Sequence, residues 1–354
     1  MGKNGFNKMK KIKFLFEIAH PKHFYQFMHV IEELKKENEV MVIARDKDVV
    51  FQLLEEFGIS YVKYGKHGKS LPGKLLLLPQ IFFSYFRIVR QFKPDFIISK
   101  SSPYATIVSK FNKCKSIIFP DAEIVALTNH LAAPLSYGVI TPNNYPLNYG
   151  KKHKRVSSFF ESAYLHPRYF TPDPMIYDFL KIKKNERFVL LRFIGWYASH
   201  DRNKEGLSNK EKEEIVDKVS KFAAVFISSE GELPESISKY QLKIPVSKIH
   251  HVLYYSSLYI GDSQTMATEA ALLGTPSIRI NSFVGENDMS NFKTLENDFK
   301  LLFNYEDHSR VIKKALEILK DKTSKKEWQK KREEFFEKVE DINFQIVEIL
   351  KTFL

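Results

Sequence analysis

Residues 258–279, LYIGDSQTMATEAALLGTPSIR, constrain the fold more than any other stretch of the chain. Residues 258–260 are a short apolar run and read as a strand. Gly261, Asp262 and Ser263 are turn formers. From 264 to 273 apolar residues recur at helical spacing, with Met266, Ala267, Ala270, Ala271 and Leu273 on the pattern. Gly274 stops that helix and Pro276 prevents it from resuming. Residues 277–280 are the next strand. Strand, tight polar turn, helix, Gly-Pro stop and strand make up half of a parallel doubly wound sheet, so the expected class is α/β.

The turn carries the first chemical expectation. It lies at the carboxyl end of a strand and at the amino end of a helix. The amide N–H groups of Gln264, Thr265 and Met266, together with the helix dipole, would favour an anion there. Ser263 and Thr265 add hydroxyl donors, which makes a cradle for phosphate. Glu269 lies one turn further on, on roughly the face of Thr265, where a carboxylate can accept hydrogen bonds from a ribose diol. The residues alone allow another reading, in which Ser263 is a helix cap and Glu269 a solvated charge. Both stand at this point.

The same alternation runs through the rest of the 354 residues, a length that suits two domains. Strands are expected at 12–19, 40–44, 60–64, 95–99 and 116–119, with weaker candidates at 139–141 and 155–158. Helical patterns fill the gaps. Residues 161–177 then lose periodicity, with Pro167, Pro172 and Pro174 close together among aromatics, as in a linker. The ladder restarts with strands at 188–193, 224–228, 242–246, 258–260, 277–280 and 301–303. A last long helix is expected over 328–354, with Phe335, Val339, Ile342, Ile346 and Leu350 on one stripe. The expected domains are 1–165 and 166–330, followed by a closing helix at 331–354.

Ligands of such folds sit outside the carboxyl ends of the strands. Polar residues that follow the expected strands are therefore the site candidates. In the first half these are His20, His23, Lys66, His67, Lys100, Asp121 and Glu123. In the second half they are Trp196, Ser199, His200, Glu230, His250, Ser263, Gln264, Thr265 and Glu269. His20 and His23 flank Pro21 at a strand-to-helix turn. An imidazole at a helix amino end tends to stay neutral and can serve as a base on a sugar hydroxyl. Asp121 and Glu123, one residue apart, suit a base and an orienting group, or a helix-capping pair. Lys66 and Lys100 would stabilise a departing diphosphate.

Several stretches resemble a known superfamily. GDSQTMATEAALLGTP, His20-Pro21-Lys22-His23, Gly65-Lys66-His67-Gly68, Tyr164-Leu165-His166-Pro167 and Trp196-Tyr197-Ala198-Ser199-His200-Asp201 are similar to segments of the two-Rossmann-domain (GT-B) glycosyltransferases and UDP-N-acetylglucosamine 2-epimerases. They are most similar to an archaeal and bacterial group within that superfamily. The resemblance implies two Rossmann-like domains facing each other across a cleft, with a C-terminal helix packing back toward the first. It implies that Gly261, Asp262, Ser263, Gln264, Thr265 and Met266 hold a nucleotide diphosphate and that Glu269 binds the ribose. It also implies that the Trp196–Asp201 stretch faces the cleft, with Ser199 and His200 donating to phosphate. Ser263-Gln264 departs from the pattern, where the group has two glycines.

The function these readings imply is transfer of a sugar from a UDP-linked donor to a cell-envelope glycan or a lipid-linked acceptor. His20, His23, Asp121 and Glu123 would be catalytic, with no metal and no further cofactor. The alternatives are a UDP-N-acetylglucosamine 2-epimerase and a non-catalytic sugar-nucleotide or glycan-binding protein. The net charge of +13 suits a nucleotide sugar or an acidic lipid surface. Lysines interleaved with glutamates, and the absence of any nucleic-acid-binding signature, argue against nucleic acid. The single cysteine, Cys114, excludes an internal disulfide and fits the cytosol. Residues 75–86, LLLLPQIFFSYF, are shorter than the about 20 residues of a membrane span and contain Pro79. A buried or amphipathic helix is expected there, with contact to the inner face of a membrane as the sharper alternative. No cleavable leader pattern is visible at the amino end.

Overall fold

The computed structural model describes residues 11–47, 49–66, 71–195, 207–282, 284–285 and 288–354. The chain forms two compact units. The first comprises Met1–Thr141, Leu147–Val156 and Asn343–Leu354, and the second Pro142–Pro146 and Ser157–Ile342.

The first unit is built on a seven-stranded sheet. Its strands are β1 (Lys13–Ile18), β2 (Glu39–Asp46), β3 (Val62–Lys66), β4 (Phe96–Ser99), β5 (Lys115–Ile118), β6 (Gly138–Pro142) and β7 (His153–Val156), in the order β3-β2-β1-β4-β5-β6-β7. β1 pairs parallel with both β2 and β4. Its residues Phe14, Leu15, Phe16 and Ile18 are all buried. Such continuous apolar runs belong to parallel strands that are covered on both faces. The helix Pro21–Lys35 buries Phe24, Phe27, Val30, Ile31 and Leu34. The helix Leu71–Phe92 contains Pro79, buries Ile81, Tyr85 and Val89, and leaves Leu78 and Phe83 exposed. It is therefore the amphipathic helix expected from 75–86. Among the described residues no helix is long and apolar enough to cross a membrane.

The second unit is built on a five-stranded sheet of β8 (Phe188–Phe193), β9 (Ala224–Ser229), β10 (Leu258–Gly261), β11 (Ser277–Ile280) and β12 (Leu302–Tyr305). The order is β12-β11-β10-β8-β9 and every neighbouring pair is parallel. Val189, Leu191, Ile260, Ile278, Ile215, Val311 and Ile318 meet in one core. Gly261 is required by packing. A Cβ there would lie 2.6 Å from the Tyr259 hydroxyl oxygen and 2.7 Å from the Arg192 carbonyl oxygen. Gly274, at φ +69°, supplies the left-handed residue that ends the helix Gln264–Leu272.

Three expected elements differ from what is observed. Residues 242–246 do not form a strand: only Gln241 bridges to Ile227, and Pro245 has no N–H to offer a ladder. The long last helix is two helices, Ser324–Glu337 and Ile342–Lys351. The break falls where Asp341 accepts from the Arg168 guanidinium at 3.1 Å and from the Tyr169 hydroxyl. Residues 161–177, expected as a linker, contain the helix Ser162–Leu165 and bury Tyr164, Leu165 and Ile176.

The last segment of the chain belongs to the first unit. Phe353 lies over Gly138, where a Cβ would approach its ring to 2.7 Å, and Lys115 donates to the Phe353 carbonyl. The helix Ser324–Glu337 stays with the second unit. Its Gln329 amide donates at 3.0 Å to the carbonyls of Leu273 and Gly274, and its Trp328 indole donates at 2.9 Å to that of Leu301.

Candidate functional site

Each sheet reverses its strand order once: between β1 and β4 in the first unit, and between β8 and β10 in the second. Connections leave such a point to opposite sides, so a crevice opens at the carboxyl ends of the two strands. In the first unit a cavity of about 320 Å³ occupies that position. It is lined by Glu17 and Ala19 from β1 and its exit, by Arg45 of β2, by 100–104 after β4, and by 120–122 after β5.

Three of the sequence candidates meet at this cavity: His23, Lys100 and Asp121. Lys22 and Lys100 both bring their ammonium groups to Asp121 Oδ2, at 2.6 Å and 2.8 Å. Lys100 also donates to Gln26 Oε1 at 2.9 Å. Burial alone would raise the Asp121 carboxyl, but the two lysines outweigh it and hold the group far below the usual carboxylate range. Asp121 is therefore a fixed anion and a poor base. His23 is kept neutral, chiefly by burial, with the neighbouring His20 and Lys100 adding to the effect.

The imidazole bonds set the tautomers. His23 Nδ1 accepts from the Ala19 N–H at 3.3 Å, and His20 Nδ1, at the cap of the helix Pro21–Lys35, accepts from the Lys22 N–H at 3.2 Å. In the neutral ring the proton then sits on Nε2 in both cases, which makes both imidazoles hydrogen-bond donors at that atom. Neither His20 nor Glu123 lines the cavity. The Glu123 carbonyl accepts from Asn129 at 2.7 Å. Lys66 ends β3, and its side chain lies outside the described residues, as does His67.

The residue that sequence reasoning missed is Glu17. It is 4% exposed, lines the cavity, and accepts from the Tyr64 hydroxyl at 2.7 Å and the Tyr85 hydroxyl at 3.1 Å. Burial raises its carboxyl above the ordinary value, against the lowering effect of the hydrogen bonds from Tyr64, Ser102 and Tyr85. The signal was present in the sequence: a single acid inside the apolar run KFLFEI.

In the second unit the carboxyl edge is organised by two acids, the buried Asp262 and the exposed Glu230. Asp262, 1% exposed, accepts from the Ile194 N–H at 2.8 Å. Glu230 pairs with Arg192 and accepts from the Gly195 N–H at 3.0 Å. Carboxylates after β10 and β9 thus hold the backbone leaving β8 from both sides. Arg192 also donates to Ser228 at 2.8 Å. Trp196, Ser199 and His200, which follow, lie outside the described residues.

The helix Gln264–Leu272 begins at the β8–β10 reversal. Ser263 is its cap, accepting from the Met266 N–H at 3.4 Å. That amide is thus directed to the cap hydroxyl. Ser263, Gln264 and Thr265 are partly exposed, while Met266 and every residue from there to the helix end is buried. Glu269 is not solvated: its side chain is 6% exposed, and Oε1 lies 2.7 Å from the Tyr164 hydroxyl and 3.1 Å from His250 Nε2. Two donors on one oxygen leave about half of a carboxylate's acceptor capacity. At the end of β11, fully buried Arg279 is paired with Asp288 at 2.6 Å and 3.0 Å and lies 3.7 Å over the Phe292 ring. Among the described residues no three His, Cys, Asp or Glu side chains are placed to hold a metal ion.

Two parallel doubly wound sheets, each with one strand-order reversal, and a last helix belonging to the first unit define a protein of the GT-B fold. Solved structures agree. UDP-GlcNAc 2-epimerase from Neisseria meningitidis, bound to UDP-GlcNAc, is similar over 96% of this chain and 100% of its own, with a TM-score of 0.68 and 14% identity. Spinosyn forosaminyltransferase SpnP is similar over 97% of this chain and 100% of its own, with a TM-score of 0.65 and 13% identity. Among curated proteins, the uncharacterized protein MJ0665 of Methanocaldococcus jannaschii is 23% identical over 308 residues, 82% of this chain and 89% of its own length. The chain belongs to the family described as "Protein of unknown function (DUF354)", which matches residues 12–348.

Proposed function

We propose that this protein transfers a sugar from a nucleoside-diphosphate donor, UDP-linked, to an acceptor held by the first unit. The observation that carries the reading is the start of the helix Gln264–Leu272. It lies at the carboxyl end of β10, at the strand-order reversal, with its first turn partly exposed and the rest of the helix buried. Amide donors and the helix dipole there would take the diphosphate without a metal ion. Glu269, fixed by Tyr164 and His250, would take the ribose with its remaining acceptor capacity. Glu230 and Asp262 would act by shaping the β8 exit toward the donor. The names of two structural neighbours support a nucleotide sugar, since one is an epimerase bound to UDP-GlcNAc and another a transferase. In the first unit, His23 would donate from Nε2 to an acceptor oxygen, with His20 at the helix cap beside it, and the Lys22–Asp121–Lys100 cluster would fix the cavity wall. The exposed Leu78 and Phe83, with Arg87 and Arg90 on the same helix, support a lipid-linked or cell-envelope acceptor.

A second reading, 2-epimerisation of the UDP sugar, is favoured by the epimerase among the structural neighbours. One experiment separates the two. UDP at a hundred times its dissociation constant should stabilise the protein by about 2.7 kcal/mol in a thermal-shift series, where CMP leaves it unchanged. Incubation with UDP-N-acetylglucosamine alone, followed by proton NMR, should then leave the sugar configuration intact. Inversion at C2 without an acceptor would establish the epimerase. No stabilisation by UDP, GDP or dTDP sugars would remove the donor assignment.

A further inference from the structure

We propose that the first-unit cavity is a subsite for a single sugar ring, in which Glu17 accepts the hydrogen bond, and during transfer the proton, of the ligand's nucleophilic hydroxyl, with Tyr64 and Tyr85 as positioning residues. That the bound sugar is the acceptor rests on the transfer reaction proposed above. The existence of the subsite does not.

Three observations converge. The first is size and wall chemistry. At about 320 Å³ the cavity is at the small end for ligand pockets, suited to one ring and not to a nucleotide. Its walls alternate Pro103, Tyr104 and Pro120 with Glu17, Ser101 and Asp121. Apolar faces with a few convergent acceptors are what a pyranose presents a match for, with its C–H faces and its rim of hydroxyls.

The second is the way Glu17 is held. Its two oxygens take hydroxyls from β3 and from the helix Leu71–Phe92, so the carboxylate is fixed from two directions. Burial raises both phenols far above their ordinary value, so they stay protonated and donate. Arg45 of β2 lines the same cavity, and Ser102 supplies a further hydrogen bond to the carboxylate.

The third is elimination among the neighbours. Asp121 has lost its basicity to Lys22 and Lys100, and His23 and His20 present N–H groups. Glu17 is the cavity-lining acid whose carboxyl is shifted upward, toward the range where a base works at neutral pH. In the step itself the hydroxyl oxygen bonds to the anomeric carbon as its proton passes to Glu17. The bond from that carbon to the diphosphate breaks, and the diphosphate leaves with the electron pair. Glu17 then returns the proton to water.

The test needs no donor and no turnover, so it can fail or succeed independently of the transferase reading. Methyl glycosides of glucose, galactose, mannose and N-acetylglucosamine are titrated into the full chain by saturation-transfer NMR from pH 5 to 9. At least one should saturate with a dissociation constant on the order of millimolar. Its affinity should fall as the pH drops through the Glu17 titration, because the ionised carboxylate is the acceptor. Glu17→Gln should weaken binding by about tenfold or more and flatten that pH dependence, the loss of one charged hydrogen bond. Tyr64→Phe, which removes a hydrogen bond favouring the ionised form, should move the midpoint to higher pH. A structural cross-link would not produce that shift. If Glu17→Gln does not fold, Tyr64→Phe decides. No saturable sugar, equal affinity in Glu17→Gln, or an unmoved midpoint in Tyr64→Phe overturns the proposal.

Discussion

Asp288→Ala should destabilise the second unit by about 3–5 kcal/mol. Arg279 is fully buried, and Asp288 takes both of its terminal nitrogens while also accepting from the Met289 N–H at 2.8 Å. Guanidinium does not lose its proton in a protein, so alanine at 288 would leave a whole charge in the interior against the Phe292 ring. Asn281 and Asn304 also accept from Arg279, but neutral amides cannot replace a carboxylate. The same logic predicts a rescue. The double variant Arg279→Met, Asp288→Leu removes both charges and should recover most of the loss. Urea unfolding of the three proteins checks this. A cost below 1 kcal/mol for Asp288→Ala would mean that the pair is solvated.

The second large effect concerns Glu269. Alanine there removes the one buried oxygen that the Tyr164 hydroxyl and His250 Nε2 share. A lost buried hydrogen bond to a charged group is worth about 1.5–3 kcal/mol, so Glu269→Ala should lower the unfolding midpoint markedly whatever the ligand does. Loss of UDP binding in that variant is therefore uninformative by itself. Glu269→Gln keeps an acceptor oxygen for Tyr164 and His250 but removes the charge. It should cost little stability and still weaken UDP about tenfold or more, the value of a charged hydrogen bond to a ribose hydroxyl. Calorimetric titration of UDP into Glu269→Gln, alongside its melting curve, separates the two roles. Unchanged UDP affinity would remove the ribose assignment.

Much of the fold was legible because strand and helix signals were local. The unit around residue 261 needed only a three-residue apolar run, three turn formers, helical spacing and a Gly-Pro stop, and β10, the helix Gln264–Leu272 and β11 form as that pattern requires. Partner choice was not legible. The last helix breaks between Glu337 and Ile342 although the stripe from Phe335 to Leu350 keeps helical spacing across the gap, and Asp341 in that gap is bonded by Arg168 and Tyr169, far away in sequence. Asp121 read as a base because nothing in its neighbourhood of sequence announces Lys22, 99 residues away. Glu269 read as either a ligand group or a solvated charge, and its burial depends on Tyr164, 105 residues earlier. Glu17 and Arg279 share a sequence mark: a charge with apolar residues on either side of it in a short strand. A charge in that setting must find a partner or a ligand, whatever the local pattern says.

The reading depends most on backbone amides at the start of the helix Gln264–Leu272, and proline tests them directly. Gln264 is the first helical residue, where proline is well tolerated and its missing N–H removes one donor from the cradle. Ser263, at φ −75° and ψ 116°, already has the extended conformation that a following proline requires. Gln264→Pro should therefore melt within a degree or two of the wild type. Calorimetric titration of UDP should show its affinity reduced by about tenfold or more, the worth of one charged hydrogen bond. A Gln264→Pro protein that folds and binds UDP as tightly as the wild type would contradict the assignment of the diphosphate to this helix.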